Sequence, residues 1–332
     1  MAPPQPASPP SPEPVASSPK TMVADRSLLV EPTGDQIMAN GRPTRELRDQ
    51  LRTIRSLRNA LTLAFIWVQI IGVAAIAVWV NHPIGWVLAF VLMGRAHLLL
   101  NILGHEAAHR LMFSNRRLND WVGRWLVAYP AFTPIDLYRR GHMAHHREEF
   151  GPNEPDIALY RDYPIPRDSM RRKLTRDAVG ITGIKLIHGL VRGLGSDNRD
   201  VKRQAWSILA TQVVLAAAAF AVGHPWLYPL LWLLPHLTVW RVLNRLRAIA
   251  EHGGLIRSTD RRETTHSVRQ SLTARFWIVP FNTGWHLAHH ADSGIPWRNL
   301  STYHDELIRS GYVQPGLEYP NYRALWRKLA SG

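Results

Sequence analysis

Residues 60–80 read ALTLAFIWVQIIGVAAIAVWV, 21 residues without a charged side chain. As a helix this run is about 31 Å long, the thickness of the hydrocarbon core of a bilayer. The charge-free stretch continues to residue 94, in a chain of 332 residues of which 20% are charged. Asn81-His82-Pro83 interrupts it, and a second apolar run follows over 84–103, with Arg95 and His97 inside it. The plan then recurs. Residues 204–240 are again free of charge; Gly223-His224-Pro225 separates an apolar run at 205–222 from another at 226–243, which Pro235 makes the least regular. The pattern predicts four membrane-spanning helices, about 60–80, 84–103, 205–222 and 226–243, paired in two hairpins. Buried hairpins of a soluble core are the alternative. The length of the runs favours the membrane, as do Trp79, Trp86 and Trp226 beside the two turns and Trp206 at the opposite end.

The averages conceal this. With 40 Lys+Arg, 25 Asp+Glu and a net charge of +15, the chain has the composition of a nucleic-acid-binding protein. The position of the charges gives them another meaning. Six Arg lie between Arg42 and Arg58, eighteen Lys+Arg lie within 110–203, and the two short turns hold none. The positive-inside rule then places both termini and the long loops in the cytoplasm, which makes this a multi-pass integral membrane protein with no nucleic-acid partner. Residues 1–20 contain eight Pro and no apolar core, so 1–41 is expected to be a disordered Pro-rich tail rather than a signal peptide, followed by one membrane domain over 42–332. Residues 110–203 are expected to form helices along the membrane surface, and 241–332 a cytoplasmic helical cap. The fold class is thus all-α. The absence of Cys excludes disulfides, thiolate metal sites, cysteine-ligated iron–sulfur clusters and a cysteine nucleophile.

The 16 His are not scattered. His105-Glu-Ala-Ala-His109, His142-Met-Ala-His145-His146 and His286-Leu-Ala-His289-His290 form three clusters, and His252 stands in Glu251-His252-Gly-Gly. On a helix, residues i, i+3 and i+4 share one face, so each cluster offers its rings from one side. In the expected topology all nine fall on the cytoplasmic side, just beyond the helix ends. His82, His188, His224, His266 and His304 lack such spacing and read as turn or surface residues.

Nine imidazoles exceed the three or four ligands of one tetrahedral zinc but suffice for two metals. Imidazole suits zinc, copper, iron and nickel, so ligand type does not name the metal. Position adds to this. The cluster lies at the mouth of a helix bundle, within reach of an acyl tail in the bilayer, where the useful chemistry is oxidation of an unactivated C–H bond by redox metals, iron being the natural choice. His105-Glu106-x-x-His109 also matches the HExxH pattern of zinc proteases, with Glu106 as general base. That reading leaves His142, His145, His146, His252, His286, His289 and His290 unexplained. Glu106 then becomes a carboxylate that orients a ligand His through its second ring nitrogen. His97, Asn101, His105 and His109 recur at a stride of four, as do Asn244, Ala248 and His252, so His97, Asn101, Asn244 and Glu251 are further candidates for positions around the ligands; interhelical hydrogen bonding is their plainer role. A non-catalytic membrane module is the third class of function, to be distinguished by its tolerance of losing all three clusters.

The three clusters, the extra His252 and the four expected spans resemble the membrane fatty acid desaturase superfamily over roughly residues 60–310. HEAAH, HMAHH and HLAHH match its three histidine boxes, and Asn282-Thr-Gly-Trp-His286, Ile295-Pro-Trp-Arg-Asn-Leu300 and Glu251-His252 resemble the context of its third box. The resemblance implies a non-haem di-iron enzyme, with His105, His109, His142, His145, His146, His252, His286, His289 and His290 as ligands, that uses O₂ and two electrons to introduce a double bond into a lipid acyl chain. Hydroxylases and carotenoid ketolases share these boxes. No His-Pro-Gly-Gly haem signature occurs, which implies an external electron donor such as ferredoxin or a cytochrome b5-like protein with its reductase. The basic face would attract an acidic donor or anionic lipid heads.

Overall fold

The computed structural model describes residues 22–332, which are mostly helical. Part of the expected tail, residues 1–21, lies outside the described residues. The rest is packed onto the cap: Met22 and Ile37 are buried, and Ile37 bridges to Pro43. Proline content suggests a tail through residue 41, but these apolar side chains seat the segment from residue 22 onward. Helix α1 (Arg45–Leu51) follows it.

Helices α2 (Ser56–Val80) and α3 (Pro83–His109) are joined by two residues and pack along each other. Asn81 ends α2 in the left-handed region (φ 42°). His82 caps α3, its Nδ1 accepting from the Ile84 N–H at 3.3 Å, and Pro83 takes the first helical position, where no donor is needed. Gly94 lets α3 approach Val239, whose Cβ would lie 2.4 Å from any Cβ placed there. Surface elements come next: α4 (Arg116–Val122), a π-helical stretch (Gly123–Ala128), α5 (Ile135–Arg147), α6 (Ile157–Tyr160), α7 (Arg167–Ala178) and α8 (Ile181–Gly193). Trp121, Trp125, Ile181, Ile184 and Val191 are exposed on them, as surface-lying membrane helices require.

Helix α9 (Arg199–Ala221) is the third long apolar helix. Among the described residues, three helices, α2, α3 and α9, are long and apolar enough to cross a membrane. Only 22% of the apolar window of α2 and 28% of that of α9 is buried by protein, against 61% for the central α3. The uncovered remainder, including Phe65, Ile76, Val214 and Phe220, is far more apolar surface than water tolerates.

The fourth expected span, 226–243, is not one helix. A π-helical stretch (Tyr228–Leu233) leads into the short α10 (Leu234–Leu237), and Thr238 (φ −122°, ψ −84°) breaks the path before α11 (Val239–His252). Pro229 and Pro235 each withhold a backbone donor from the regular ladder. At the break, the Leu234 carbonyl accepts from Thr238 Oγ1 at 2.7 Å. Gly183 of α8 crosses this break against the Leu237 backbone.

The cap comprises α12 (Arg261–Thr264), β1 (Ser267–Val268), α13 (Leu272–Trp277), α14 (His286–Ala291), α15 (Leu300–Arg309), β2 (Glu318–Tyr319) and α16 (Tyr322–Leu329), with β1 parallel to β2. His266 and His304 are buried here rather than on the surface: His266 Nε2 bonds the Gly253 carbonyl at 2.8 Å and His304 Nε2 bonds Glu318 at 3.0 Å. The Ile295–Leu300 motif ties the cap to the bundle. The Trp297 N–H donates to Glu106 at 3.3 Å, and Arg298 donates to Asn59 and Thr62 of α2, each at 2.7 Å.

Candidate metal centre

All nine histidines of the sequence pattern meet in the structure, in two adjoining groups. His105, His109, His142, His146 and His289 place one ligand atom each within 4.8 Å of one another. His145, His252 and His290 do the same, and His286 joins them through a 3.1 Å approach of its Nε2 to His252 Nε2. The His146 and His290 rings, 4.3 Å apart, connect the groups.

The nitrogens face one another. His142 Nε2 lies 2.9 Å from His109 Nε2 and 3.1 Å from His146 Nε2, which is 3.1 Å from His289 Nε2. Two ligands at right angles, each about 2.05 Å from one ion, are about 2.9 Å apart, so the spacing matches a shared cation. Without one, facing lone pairs would repel.

The opposite ring nitrogens show which tautomer is held. Nδ1 of His290 donates to Glu149, and Nδ1 of His145 to Glu154. Nδ1 of His252 donates to the Thr264 carbonyl at 2.8 Å. Nδ1 of His105 lies 3.3 Å from Glu106, and that of His286 lies 3.4 Å from Glu251. For His290, His145, His252 and His105 the hydrogen bond places the proton on Nδ1 and turns the Nε2 toward the centre, the arrangement that raises ligand basicity. The buried Nε2 atoms of His105 and His290 have no partner among the described residues. The residues present therefore fit metal ions.

Burial and neighbouring imidazoles hold His142, His146, His286, His289 and His290 well below the ordinary histidine range, so their rings are neutral and able to ligate. His145 is raised: burial acts to lower it, but the bond to Glu154 and that carboxylate's charge outweigh the burial.

Glu149, Glu154, Tyr160 and the Thr264 carbonyl are missing from the sequence-derived set. Glu149 also takes Arg261, and the Tyr160 hydroxyl lies 3.3 Å from His145 Nδ1. Both Glu follow the second box closely, which is the one signal the sequence held. Of the candidates around the cluster, Glu106 lies 3.3 Å from His105 Nδ1 and Glu251 3.4 Å from His286 Nδ1, with Arg247 2.8 Å from Glu251. Asn101 and Asn244 line the adjoining cavity. His97 is not brought to the cluster: its Nε2 donates to the Trp232 carbonyl at 3.0 Å.

That cavity, about 470 Å³, starts at His105, His142, His145, His252 and His286 and runs between α3, α8, α9 and α11. It gives a molecule lying between the helices a path to the cluster.

Apolar helices able to cross a membrane, histidine clusters able to bind metal and a cavity that joins them define a class of membrane metal oxidoreductases. The fatty acid desaturase family model matches residues 77–326, and the chain belongs to that family. It is similar to the dihydrorhizobitoxine desaturase of Bradyrhizobium elkanii, with 26% identity over 276 residues that cover 76% of this chain and 77% of that protein. Shorter stretches are similar to the sn-1 oleoyl-lipid 12-desaturase of Arthrospira platensis (36% over 73 residues, 22% of this chain and 19% of that one) and to a chloroplastic omega-3 fatty acid desaturase of Glycine max (29% over 104 residues, 31% and 22%).

Proposed function

We propose that the protein is an O₂-dependent di-iron desaturase that introduces a double bond into an acyl chain at the cytoplasmic face of a membrane. The observation that carries this reading is the meeting of nine imidazoles in a group of five and a group of four beside one cavity. The group of five would hold one iron and the group of four the other; bound iron supplies the oxidising power to remove hydrogen from an unactivated C–H bond. The chain's own residues do the rest. Glu106, Glu149, Glu154 and the Thr264 carbonyl hold the rings in the ligating tautomer. Tyr138 stacks on His142 at 5.2 Å and, with Leu100 and Leu137, walls the cavity beside the cluster. The positive-inside charge pattern supports cytoplasmic termini. In the four-pass topology that this implies, the broken π–α10–α11 segment completes the second hairpin. Electrons would come from an external donor of the ferredoxin or cytochrome b5 kind.

The family's hydroxylases and ketolases are the second reading, since the same centre serves both outcomes. The zinc-protease reading is disfavoured because Glu106 is fully buried and held by His105 and the Trp297 N–H, away from any attacking water. Expression of the wild type and of His142→Ala in a host with a defined lipid profile tests the proposal. New unsaturation by mass spectrometry, lost in the variant, is expected; unchanged profiles together with one zinc and no iron per chain would overturn it.

A further inference from the structure

Arg241 lines the cavity far from the histidines, on a helix that otherwise leads to them. It stands eleven residues before His252, about 16 Å along α11. Its guanidinium is spent on no carboxylate: among the described ion pairs, Arg245 meets Asp177 and Arg247 meets Glu251, but Arg241 has none. Nε donates to the His236 carbonyl at 3.1 Å and Nη2 to His236 Nε2 at 2.5 Å, which leaves Nη1. Because arginine cannot accept, His236 Nε2 must be the acceptor, and its proton sits on Nδ1. That Nδ1 is buried without a partner, on a side chain only 2% exposed that also lines the cavity. The far wall thus offers two kinds of donor and a positive charge; Asp177, the carboxylate whose charge acts on Arg241, is itself bonded by Arg245. An unpaired cation at such a position is costly unless something neutralises it.

We propose that Arg241 and His236 bind the free carboxylate of the substrate, so that the chain is presented by its anionic head at one end of the cavity and oxidised at the other. The inference rests on the desaturase reading and specifies its substrate class: an unesterified carboxylic acid rather than a glycerolipid ester. Arg241 and His236 are specificity-determining residues. Three bonds of an extended chain cover about 3.5 Å, so about 16 Å places the reacting carbon about fourteen bonds from the carboxyl carbon.

The test uses the purified iron-loaded chain in a nonionic detergent, in air, with ferredoxin or cytochrome b5, its reductase and NAD(P)H supplied in turn as the electron source, and with octadecanoic acid, methyl octadecanoate and octadecanol as probes. Binding is read by isothermal titration and turnover by mass spectrometry. Octadecanoate is expected to bind at least tenfold more tightly than the ester or alcohol. Arg241→Met should erase that preference while leaving alcohol binding and iron content unchanged, and Arg241→Lys should restore part of it. Equal binding of all three probes to the wild type overturns the proposal without using any variant, as does an intact carboxylate preference in Arg241→Met. Carboxylate preference without turnover of any probe upholds the head-group site and counts against the desaturase reading. Turnover of ester and acid alike does the reverse.

Discussion

Glu149 is 3% exposed and holds the histidine cluster from behind. One of its oxygens, Oε1, takes both the His290 Nδ1–H and the Arg261 guanidinium, while Oε2 accepts from Thr265 Oγ1 at 3.5 Å. Glu149→Gln can keep this geometry: the amide oxygen faces His290 and Arg261, and the amide nitrogen turns to the Thr265 hydroxyl, which can accept. The bond to His290 survives and the negative charge is lost. Loss of such a partner costs roughly 10- to 100-fold in metal affinity; because Gln retains the hydrogen bond, the expected loss is about tenfold, or about 1.4 kcal/mol, whereas Glu149→Ala should approach 100-fold. The loss should fall on the group of four, which contains His290, and spare the group of five. Iron retained per chain after timed exposure to a competing chelator measures it, with thermal stability in excess iron as the folding control. If both variants keep wild-type iron and wild-type chelator resistance, Glu149 does not support a ligand, and placing the second metal at His290 is wrong.

Chelation of the wild type should lower its melting temperature, since a ligand bound only to the folded state stabilises it; at a free-metal concentration 100 times Kd the effect is about 2.7 kcal/mol, and an unchanged melting curve would contradict metal binding. His266, neutral in the fold, supplies a pH dependence: burial lowers it to about 4, with the bond to the Gly253 carbonyl acting against this and Lys328 adding to it. Its contribution is complete above the unfolded value near 6.5 and is lost as pH falls toward 4, amounting to about 2 kcal/mol by pH 5. His266→Asn should flatten that part of the stability–pH curve in denaturation measurements, and an unchanged slope would refute the assignment. Gly183→Val should destabilise by about 1–3 kcal/mol, because even a Cβ there would lie 2.4 Å from the Leu237 carbonyl oxygen; a melting temperature like that of the wild type would show that α8 can move off the break.

The candidate ligand set is legible in sequence because its logic is local. Residues at i, i+3 and i+4 of one helix need no knowledge of the rest of the chain, and α5 and α14 present their boxes in this way. The supports are not local. Helix α5 stops at Arg147, and Phe150 turns the chain back through a left-handed conformation (φ 59°). That reversal carries Glu149 and Glu154 to rings on two different helices. The Thr264 carbonyl is a backbone atom and has no residue signature at all. The fourth span shows the same boundary. Its prolines announce irregularity, but the break at Thr238, and the packing of Gly183 across it, depend on which helix comes alongside.

Histidine placement within the helices follows one rule that spacing alone does not reveal. His109 lies in the last turn of α3, His145 and His146 in that of α5, His252 ends α11, and His289 and His290 lie in the last turn of α14. Four helix C-termini therefore converge on one volume, each carrying the partial negative charge of its unpaired carbonyls. Glu106, Glu149, Glu154 and Glu251 stand around the same volume. Glu149 and Glu251 are partly balanced by Arg261 and Arg247, whereas Glu106 and Glu154 meet no arginine among the described ion pairs. In a chain with a net charge of +15, these carboxylates and helix ends set negative potential beside imidazoles that are mostly neutral, and that potential favours a cation there.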